Sequence, residues 1–167
     1  MSGPLTPDQL LAYLGELGID QTTIDHPPVF TVDEAKRLRG RLPGANCKSL
    51  FLKNKKGRMW LLVVAEDQRV DLARLAESLK SKRLSFGSPQ RLMESLGVIP
   101  GAVSPFAVIN DTTGEITVVV AADVLSHEKL NFHPLVNHRT TAIGAEDFLR
   151  FLEETGHDPV VLPADQI

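Results

Sequence analysis

The chain has 167 residues, of which 43% are hydrophobic and 23% charged, and it is long enough to bury one sizeable core. A single cysteine excludes an internal disulfide framework, no apolar run approaches the ~20 residues that span a bilayer, and the N-terminus does not resemble a signal peptide. The formal net charge of -3 hides an asymmetry, because the carboxylate-free stretch 36–58 holds nine of the 18 lysines and arginines. We therefore expect one cytoplasmic domain over residues 1–167, with a positive region on an acidic body.

The first half of the chain predicts helices and a hairpin. Capping boxes at 6–9 and 31–34 each predict the start of a helix, and the second helix should end near residue 40. β-Rich runs at 47–53 and 59–65, joined by the turn 54–57, predict a β-hairpin. Short strands are predicted at 21–26 and 83–86. Helices are predicted at 71–79, capped by Asp71, and at 88–97, which begins at Ser88-Pro89 and stops at Gly97.

The second half repeats these element types. Runs at 106–110 and 116–121 predict a second hairpin around the turn 111–114. Short strands at 130–133 and 140–143 and a helix at 146–155 follow. Hairpins mixed with helices favour an α/β (mixed α+β) domain, whose mixed, largely antiparallel central sheet is covered by helices. The runs that begin at residues 59 and 116 are apolar on both faces, so their strands should be central.

Strand alternation separates Lys48 from the other cations of the carboxylate-free stretch. Lys48, Leu50 and Leu52 share one face of the predicted strand. An ammonium group in line with two leucines either reaches solvent as an ordinary strand-end lysine or is held, partly desolvated, towards an anionic or carbonyl group. The residues alone leave both interpretations open.

The stretch 97–106 reads Gly-Val-Ile-Pro-Gly-Ala-Val-Ser-Pro-Phe and cannot continue a helix or a central strand. It can form a rigid loop in which the backbone N–H groups of Gly101, Ala102 and Val103 point into a cleft. Such N–H groups suit the binding of a carbonyl oxygen or an oxyanion. The alternative is a plain connection from a helix to a strand.

No other standard catalytic motif is present in the sequence. The five histidines lack metal-ligand spacing, and the nucleophile-elbow, phosphate-loop and dinucleotide-binding patterns are absent. His133 stands between apolar neighbours in 131–137, where an imidazole is either structural or part of a pocket. We expect neither a metal site nor serine-hydrolase chemistry.

Four segments of the chain resemble the YbaK/ProX family of aminoacyl-tRNA editing domains, and within it the free-standing alanyl-tRNA(Pro) deacylases. They are 26–35, 47–56, 97–106 and 131–137, in the family's order. The resemblance implies a YbaK-like domain that acts in trans and hydrolyses the aminoacyl ester of mischarged Ala-tRNA(Pro), with no metal or other cofactor. Family members often carry His-Thr-Lys-Asn where this chain has Asn46-Cys47-Lys48-Ser49, so the lysine is kept while its neighbours differ.

The resemblance also implies the site residues. Lys48 and Gly101 would be catalytic, the lysine by positioning the terminal phosphate or ribose and the glycine loop by stabilising the oxyanion. The aminoacyl pocket is expected to involve Val29, Phe30, Thr31, Asn46, Gly97, Pro100, Ala102, Val103, Ser104, His133 and Asn137. The acceptor end of tRNA(Pro) is expected to dock on Lys36, Arg37, Arg39, Arg41, Lys53, Lys55, Lys56 and Arg58. Prolyl-tRNA synthetase is a candidate partner, and no membrane is expected.

Three alternatives remain open at this point. The chain can be a deacylase of another mischarged tRNA, such as Cys-tRNA or Ser/Thr-tRNA. It can be a non-catalytic tRNA-binding or synthetase-binding module, which would bind RNA in a salt-sensitive way without hydrolysing the ester. A small-ester hydrolase unrelated to RNA would leave the basic stretch without a role.

Overall fold

The computed structural model describes residues 3–28 and 44–167. The helix predicted to begin at 31–34 lies outside the described residues. The same is true of seven candidate site and docking residues, namely Val29, Phe30, Thr31, Lys36, Arg37, Arg39 and Arg41.

Three of the four α-helices in the described ranges begin at predicted capping residues, namely Thr6, Asp71 and Ser88. The Thr6 side chain accepts a hydrogen bond from the Gln9 backbone, and the Gln9 side chain accepts one from the Thr6 backbone, which confirms the first capping box. The Ser88 hydroxyl oxygen accepts from the Arg91 N–H at 3.0 Å, and Gly97, with φ 69°, ends the same helix. The helices are α1 (Pro7–Glu16), α2 (Leu72–Ser78), α3 (Pro89–Leu96) and α4 (Ala145–Glu154).

The strands of the described ranges form one sheet with the order β1-β7-β6-β2-β3-β5-β8, and β4 lies beside β2. Four of these pairs are antiparallel and three are parallel, so the predicted mixed, largely antiparallel sheet is confirmed. The strands are β1 (Gln21–Asp25), β2 (Ala45–Lys53), β3 (Met59–Ala65), β4 (Ser85–Phe86), β5 (Ile116–Ala121), β6 (Lys129–Phe132), β7 (Arg139–Gly144) and β8 (Val160–Leu162).

The long strand β2 contacts different partners at its two ends. Its first residues pair with β6 in parallel, with Asn46 opposite Asn131. Its last residues pair with β4, with Leu52 opposite Phe86, while β3 runs along the other edge of β2. One end of β2 therefore lies beside β6 and β7, and the opposite end carries the turn to β3.

The core is centred on β3 and β5, which lie side by side in parallel. Six of the seven β3 residues and five of the six β5 residues are buried, so the predicted central position of both strands is confirmed. Helix α4 adds buried aromatic side chains to this core, and the Phe151 ring lies 5.4 Å from the ring of Phe106. None of the helices in the described ranges has both the length and the apolar character needed to cross a membrane.

The predicted hairpin of 106–110 with 116–121 is wrong. Pro105–Asn110 is a 3₁₀ helix, and β5 pairs in parallel with β3 and β8 instead. The Ser104 hydroxyl oxygen accepts from the Phe106 N–H, and Pro105 occupies the first helical position, so these two residues start a helix ahead of an apolar run. Further 3₁₀ helices are Pro100–Ala102, Ala122–Ser126 and Ala164–Gln166.

A buried carboxylate, rather than a hairpin turn, fixes the start of β5. The Asp111 oxygens accept hydrogen bonds from the backbone N–H groups of Glu115 and Ile116 at 3.1 and 2.8 Å. The Nε2 of His157 donates to the same carboxylate at 2.8 Å, and both side chains are buried. The turn 111–114 is thereby tied to the segment that follows α4.

Candidate functional site

One face of the sheet gathers several of the predicted site residues where β2, β6 and β7 run side by side. Asn46 and Asn131 are register partners, so their side chains share this face, and Lys48 follows on it two residues along β2. Ala142 of β7 is opposite Asn131, which puts Thr140 on the same face. We call this the site face.

Lys48 lies on the site face against an apolar neighbour. Its register partner is Val64 of β3, which is fully buried. Lys48 itself is partly exposed, and its ammonium group makes no hydrogen bond or ion pair with residues 3–28 or 44–167. The charge is thus available to an anionic or carbonyl oxygen of a ligand.

The neighbouring residue Cys47 points to the opposite face of β2. Its thiol is close to the Ala45 carbonyl oxygen, at 3.7 Å. Burial, with a smaller effect of the Asp123 carboxylate, raises the pKa of the Cys47 thiol to about 12. A thiol that stays protonated is a poor nucleophile, so covalent cysteine chemistry is not supported.

His133 presents a neutral ring with one nitrogen that has no hydrogen-bond partner in the described ranges. A carbonyl can only accept, so the 2.9 Å contact with the Arg139 carbonyl oxygen puts the proton on Nδ1 of His133 and leaves a lone pair on Nε2. Burial lowers the pKa of His133 and outweighs the Arg139 hydrogen bond, which acts in the opposite direction, while nearby His26 lowers it further. The Nε2 atom is therefore a hydrogen-bond acceptor at neutral pH.

His26 supports this part of the site, a role that the sequence did not predict. Its ring lies 6.1 Å from the ring of His133. Its Nδ1 donates to the Pro27 carbonyl oxygen at 2.8 Å, and its Nε2 contacts the Thr140 hydroxyl at 2.7 Å. His26 therefore fixes the end of β1 against β7 on the site face.

Ser104 connects the glycine- and proline-rich loop to His133. Its hydroxyl donates to the His133 carbonyl oxygen at 2.6 Å and accepts from the Phe106 N–H at 3.2 Å. Only 1% of Ser104 is exposed. Ser104 was predicted to bind substrate, but its hydroxyl is fully engaged within the protein and positions His133 instead.

Gly97 serves the end of α3. Its N–H donates to the Met93 carbonyl oxygen at 3.0 Å, and an added Cβ would lie 2.5 Å from the side chain of Pro4. Its predicted pocket role is therefore limited to allowing the chain to turn, since neither its N–H nor a side chain is available. Pro100, three residues on, is exposed.

Two of the three N–H groups predicted to bind a carbonyl oxygen remain available for it. The Ala102 N–H does not point into a cleft, because it donates to the Ile99 carbonyl oxygen at 2.9 Å inside the 3₁₀ turn. Gly101 and Val103 are partly exposed, and within the described ranges neither N–H donates to a protein acceptor. These two N–H groups remain candidates for binding a carbonyl oxygen.

Two of the buried asparagines are Asn131 on β6 and Asn137 in the segment between β6 and β7. The Asn131 Nδ2 donates to Asn46 Oδ1 at 3.2 Å and to the Gly44 carbonyl oxygen at 3.4 Å. Its Oδ1 is buried without a partner in the described part of the chain, and so is the Nδ2 of Asn137. Unsatisfied polar atoms of this kind are uncommon in protein interiors and often mark functional positions.

The described basic residues of the 36–58 stretch, apart from Lys48, lie at the other end of β2. Lys55, Lys56 and Arg58 are exposed on the turn to β3, and Lys53 is partly exposed. The Asn54 side chain donates to the Ser81 hydroxyl at 3.2 Å, which brings a second exposed basic segment beside the turn. That segment contains Lys80, Lys82 and Arg83. The sequence prediction did not include it, because it lies outside the continuous stretch 36–58.

A metal centre is not indicated by the described geometry. Within residues 3–28 and 44–167, no group of three or more histidine, cysteine, aspartate or glutamate side chains is arranged to hold a metal ion. The chemistry available to the site face is that of an ammonium group without a partner in the described ranges, a neutral imidazole, carboxamides and backbone N–H groups.

Comparisons with known proteins agree with these features. The family described as "Aminoacyl-tRNA editing domain" matches residues 26–151. The chain is 39% identical to "Prolyl-tRNA synthetase associated domain-containing protein 1" of Xenopus laevis, over 99% of this chain and 100% of the relative. It is 38% identical to "Prolyl-tRNA editing protein ProX" of Acetoanaerobium sticklandii, over 89% of this chain and 91% of the relative.

A solved structure has the same fold. It is provisionally described as a trans-editing enzyme for prolyl tRNA synthetase, and it superposes with a TM-score of 0.72 at 20% identity. The match covers 95% of this chain and 97% of that one, and at this identity it shows the fold alone.

Proposed function

We propose that the chain, which belongs to the aminoacyl-tRNA editing domain family, acts in trans as a deacylase of mischarged Ala-tRNA(Pro). Residues 1–167 would act as one editing domain in the cytoplasm, where aminoacyl-tRNA and prolyl-tRNA synthetase are found. The reaction is the hydrolysis of the ester between the amino acid and the terminal adenosine.

One observation supports this function above the others. Lys48 and the Asn46–Asn131 pair occupy a single sheet face, and neutral His133 follows Asn131 at the end of β6. A cation without a protein partner in the described ranges, beside a neutral acceptor, suits a substrate with both an anionic phosphate and a protonated α-amino group. An aminoacyl ester of a nucleotide has both groups.

Lys48 is proposed to position the substrate rather than to remove a proton. A charged ammonium group binds the terminal phosphate or ribose without any change of its protonation state. The ester is already activated, so an aligned water, helped by the neighbouring ribose hydroxyl, is a sufficient nucleophile. The N–H groups of Gly101 and Val103 would stabilise the oxyanion that forms on the ester carbonyl.

His133 is proposed to bind the amino acid. Its Nε2 lone pair can accept a hydrogen bond from the substrate's α-ammonium group, whereas a protonated ring would repel that group. Val29, Phe30 and Thr31 are proposed to form other walls of the pocket, and Asn137, whose Nδ2 is buried, is a further polar contact. Pro100 is proposed to line the pocket entrance.

Discrimination between alanine and proline would follow from the size of the amino acid. Prolyl-tRNA synthetase must accept proline, and a pocket that rejects alanine for its missing methylene groups gains only ~1–3 kcal/mol per group. A second, smaller pocket that refuses proline completes a double sieve. Replacing Val29 or His133 with alanine should then admit prolyl-tRNA, and unchanged proline rejection in both variants would contradict these walls.

The basic residues are proposed to dock the acceptor end of tRNA(Pro). From Lys48 to Lys53 the strand rises five residues, or about 17 Å, so the turn would contact backbone phosphates well away from the ester. The docking surface would comprise Lys36, Arg37, Arg39, Arg41, Lys53, Lys55, Lys56 and Arg58, extended by Lys80, Lys82 and Arg83.

Deacylation of a panel of aminoacyl-tRNAs tests the function. Wild type and Lys48→Ala would be compared on Ala-tRNA(Pro), Pro-tRNA(Pro), Cys-tRNA and Ser/Thr-tRNA. We expect fast hydrolysis of Ala-tRNA(Pro) alone and loss of that activity in Lys48→Ala. Equal rates on the alanyl and prolyl substrates would reject proline editing, and a stronger preference for a cysteinyl, seryl or threonyl ester would reassign the substrate.

The same panel examines the non-catalytic alternative. A binding module would retain salt-sensitive association with tRNA and hydrolyse none of the four esters. A small-ester hydrolase would cleave simple amino-acid esters as rapidly as the tRNA-bound ones.

A further inference from the structure

The contacts of Asn131 fix the direction of the Asn46 carboxamide. The Gly44 carbonyl can only accept a hydrogen bond, so the atom of Asn131 that faces it at 3.4 Å is the Nδ2 donor. The same Nδ2 lies 3.2 Å from the Asn46 side chain, which must therefore present its Oδ1 acceptor. The Nδ2 of Asn46 is consequently turned away from Asn131.

Stability does not explain the choice of asparagine at position 131. Only 5% of Asn131 is exposed, and its Oδ1 is buried without a partner in the described ranges. An unpaired buried oxygen destabilises a fold, whereas an apolar side chain of similar volume would not incur that cost. A residue that costs stability is expected where it serves function.

Asn46 is placed where its remaining donor can reach a ligand. It is partly exposed and lies on the site face, two residues before Lys48 on the same strand. No described residue accepts a hydrogen bond from its Nδ2. A Lys side chain supplies a charge on a flexible stem, while a carboxamide held by a second residue supplies a donor of fixed direction.

We propose that Asn131 is a positioning residue, and that it holds Asn46 so that the Asn46 Nδ2 is a fixed second donor beside Lys48. The donor would bind an oxygen of the terminal nucleotide, either of its phosphate or of its ribose. This inference rests on the proposed function and adds the substrate group and the residue that orients its contact.

Binding of a non-hydrolysable mimic tests the proposal without relying on catalysis. The probe is adenosine monophosphate that carries alanine on its ribose through an amide bond in place of the ester. Its affinity is measured by calorimetry. Asn46→Ala should weaken binding about five- to tenfold, as expected for removal of one hydrogen bond. Asn131→Leu should weaken it similarly, while its denaturant midpoint is equal to or higher than that of wild type.

A double-mutant cycle separates positioning from a general structural role. Adding Asn131→Leu to Asn46→Ala should cause no further loss of affinity, because the group that Asn131 orients is already gone. Asn131→Asp, which accepts from Asn46 and reverses its carboxamide, gives a second variant of almost unchanged volume and should also weaken binding. A mimic without the phosphate shows which oxygen Asn46 binds. If Asn46 binds the phosphate, Asn46→Ala should not change the affinity for this second mimic; if it binds the ribose, the loss of affinity should remain.

The matched control is Thr23→Val, which removes the 2.8 Å hydrogen bond between the hydroxyls of Thr23 and Thr141 on the other face of the sheet. It should lower stability and leave affinity unchanged. The proposal is overturned if Asn46→Ala binds the mimic like wild type, or if Asn131→Leu weakens binding equally in both backgrounds. If Asn46→Ala and Asn131→Leu weaken binding of the mimic as expected but the wild-type protein deacylates no tRNA, only the proposed function is contradicted.

Discussion

Ser104 and His133 are 29 residues apart in sequence, and a hydrogen bond of 2.6 Å joins the Ser104 hydroxyl to the His133 carbonyl oxygen. This bond attaches the glycine- and proline-rich loop to the end of β6. The two segments that would contact the ester carbonyl and the amino acid are therefore held at a fixed separation.

Ser104→Ala should lower both stability and activity. The substitution leaves the His133 carbonyl and the Phe106 N–H without their shared buried partner, which should reduce the free energy of unfolding by about 1–3 kcal/mol. A small displacement of His133 should lower kcat/KM for Ala-tRNA(Pro) by about tenfold. Urea unfolding and deacylation kinetics measure the two effects.

Ser126→Ala provides the matched control for this variant. The Ser126 hydroxyl donates to the Asp123 carbonyl oxygen at the same distance of 2.6 Å, but at an exposed position. Its loss should change stability by less than about 0.5 kcal/mol and leave deacylation unaffected. Equal effects of the two alanine variants would contradict the role given to Ser104.

Lys48→Ala should reduce kcat for Ala-tRNA(Pro) by about 100- to 1,000-fold, because it removes the group that positions the ester for attack. Stability should change little, since Lys48 is partly exposed and makes no ion pair within the described ranges. Lys53→Ala, on the same strand but in the docking surface, should raise KM and keep kcat. Stopped-time deacylation at several substrate concentrations distinguishes the two lysines, and an unchanged kcat in Lys48→Ala would refute its role.

Local signals predicted much of the fold. The Thr6 capping box and the Ser88–Gly97 pair marked two helices, and strand alternation separated Lys48 from Cys47. The signals failed at residues 106–110, where an apolar run after Ser104 and Pro105 forms a 3₁₀ helix.

The parts of the site that could not be predicted depend on contacts distant in sequence. The His26–Thr140 hydrogen bond joins residues 114 apart, and the Asn131–Asn46 bond joins residues 85 apart. No local pattern specifies such pairs, because the sheet register creates them. Ser104 shows the same limit, since the sequence suggested a substrate contact where the fold uses its hydroxyl internally.

Cys47 should be unreactive in the folded protein. A thiol pKa of about 12 leaves a thiolate fraction at pH 8 roughly a thousandfold below that of an ordinary cysteine. Alkylation by iodoacetamide should therefore be slow in native buffer and fast in urea, as followed by mass spectrometry. Cys47→Ala should keep full deacylation, and rapid native alkylation with loss of activity would contradict this account.

Protonation of His133 should abolish deacylation at acidic pH. Burial lowers its pKa, so the ring stays neutral at and somewhat below its ordinary value of about 6.5 and is protonated only at lower pH. The stability that depends on the neutral ring is present above the ordinary value and is lost as the pH falls through the folded-state pKa. The kcat/KM for Ala-tRNA(Pro) should fall over the same pH range. His133→Gln should remove this loss of activity at acidic pH. If the variant loses activity at the same pH as wild type, the titrating group is not His133.

Charge removal at the β2–β3 turn should weaken tRNA binding without affecting the chemical step. Lys55, Lys56 and Arg58 are exposed on the turn after Lys53, which lies five residues, or about 17 Å, along the strand from Lys48, so they can contact phosphates but not the ester. Replacing each by alanine should reduce the slope of log affinity against log salt concentration by about one unit for every phosphate that the side chain had neutralised. Single-turnover rates at saturating enzyme should stay at the wild-type value. Arg150→Ala, which removes an exposed cation of α4 outside the docking surface, is the control and should leave the salt slope unchanged. If Arg150→Ala changed the slope as much as the turn variants, binding would depend on overall charge, and the assignment of a local docking surface would be incorrect.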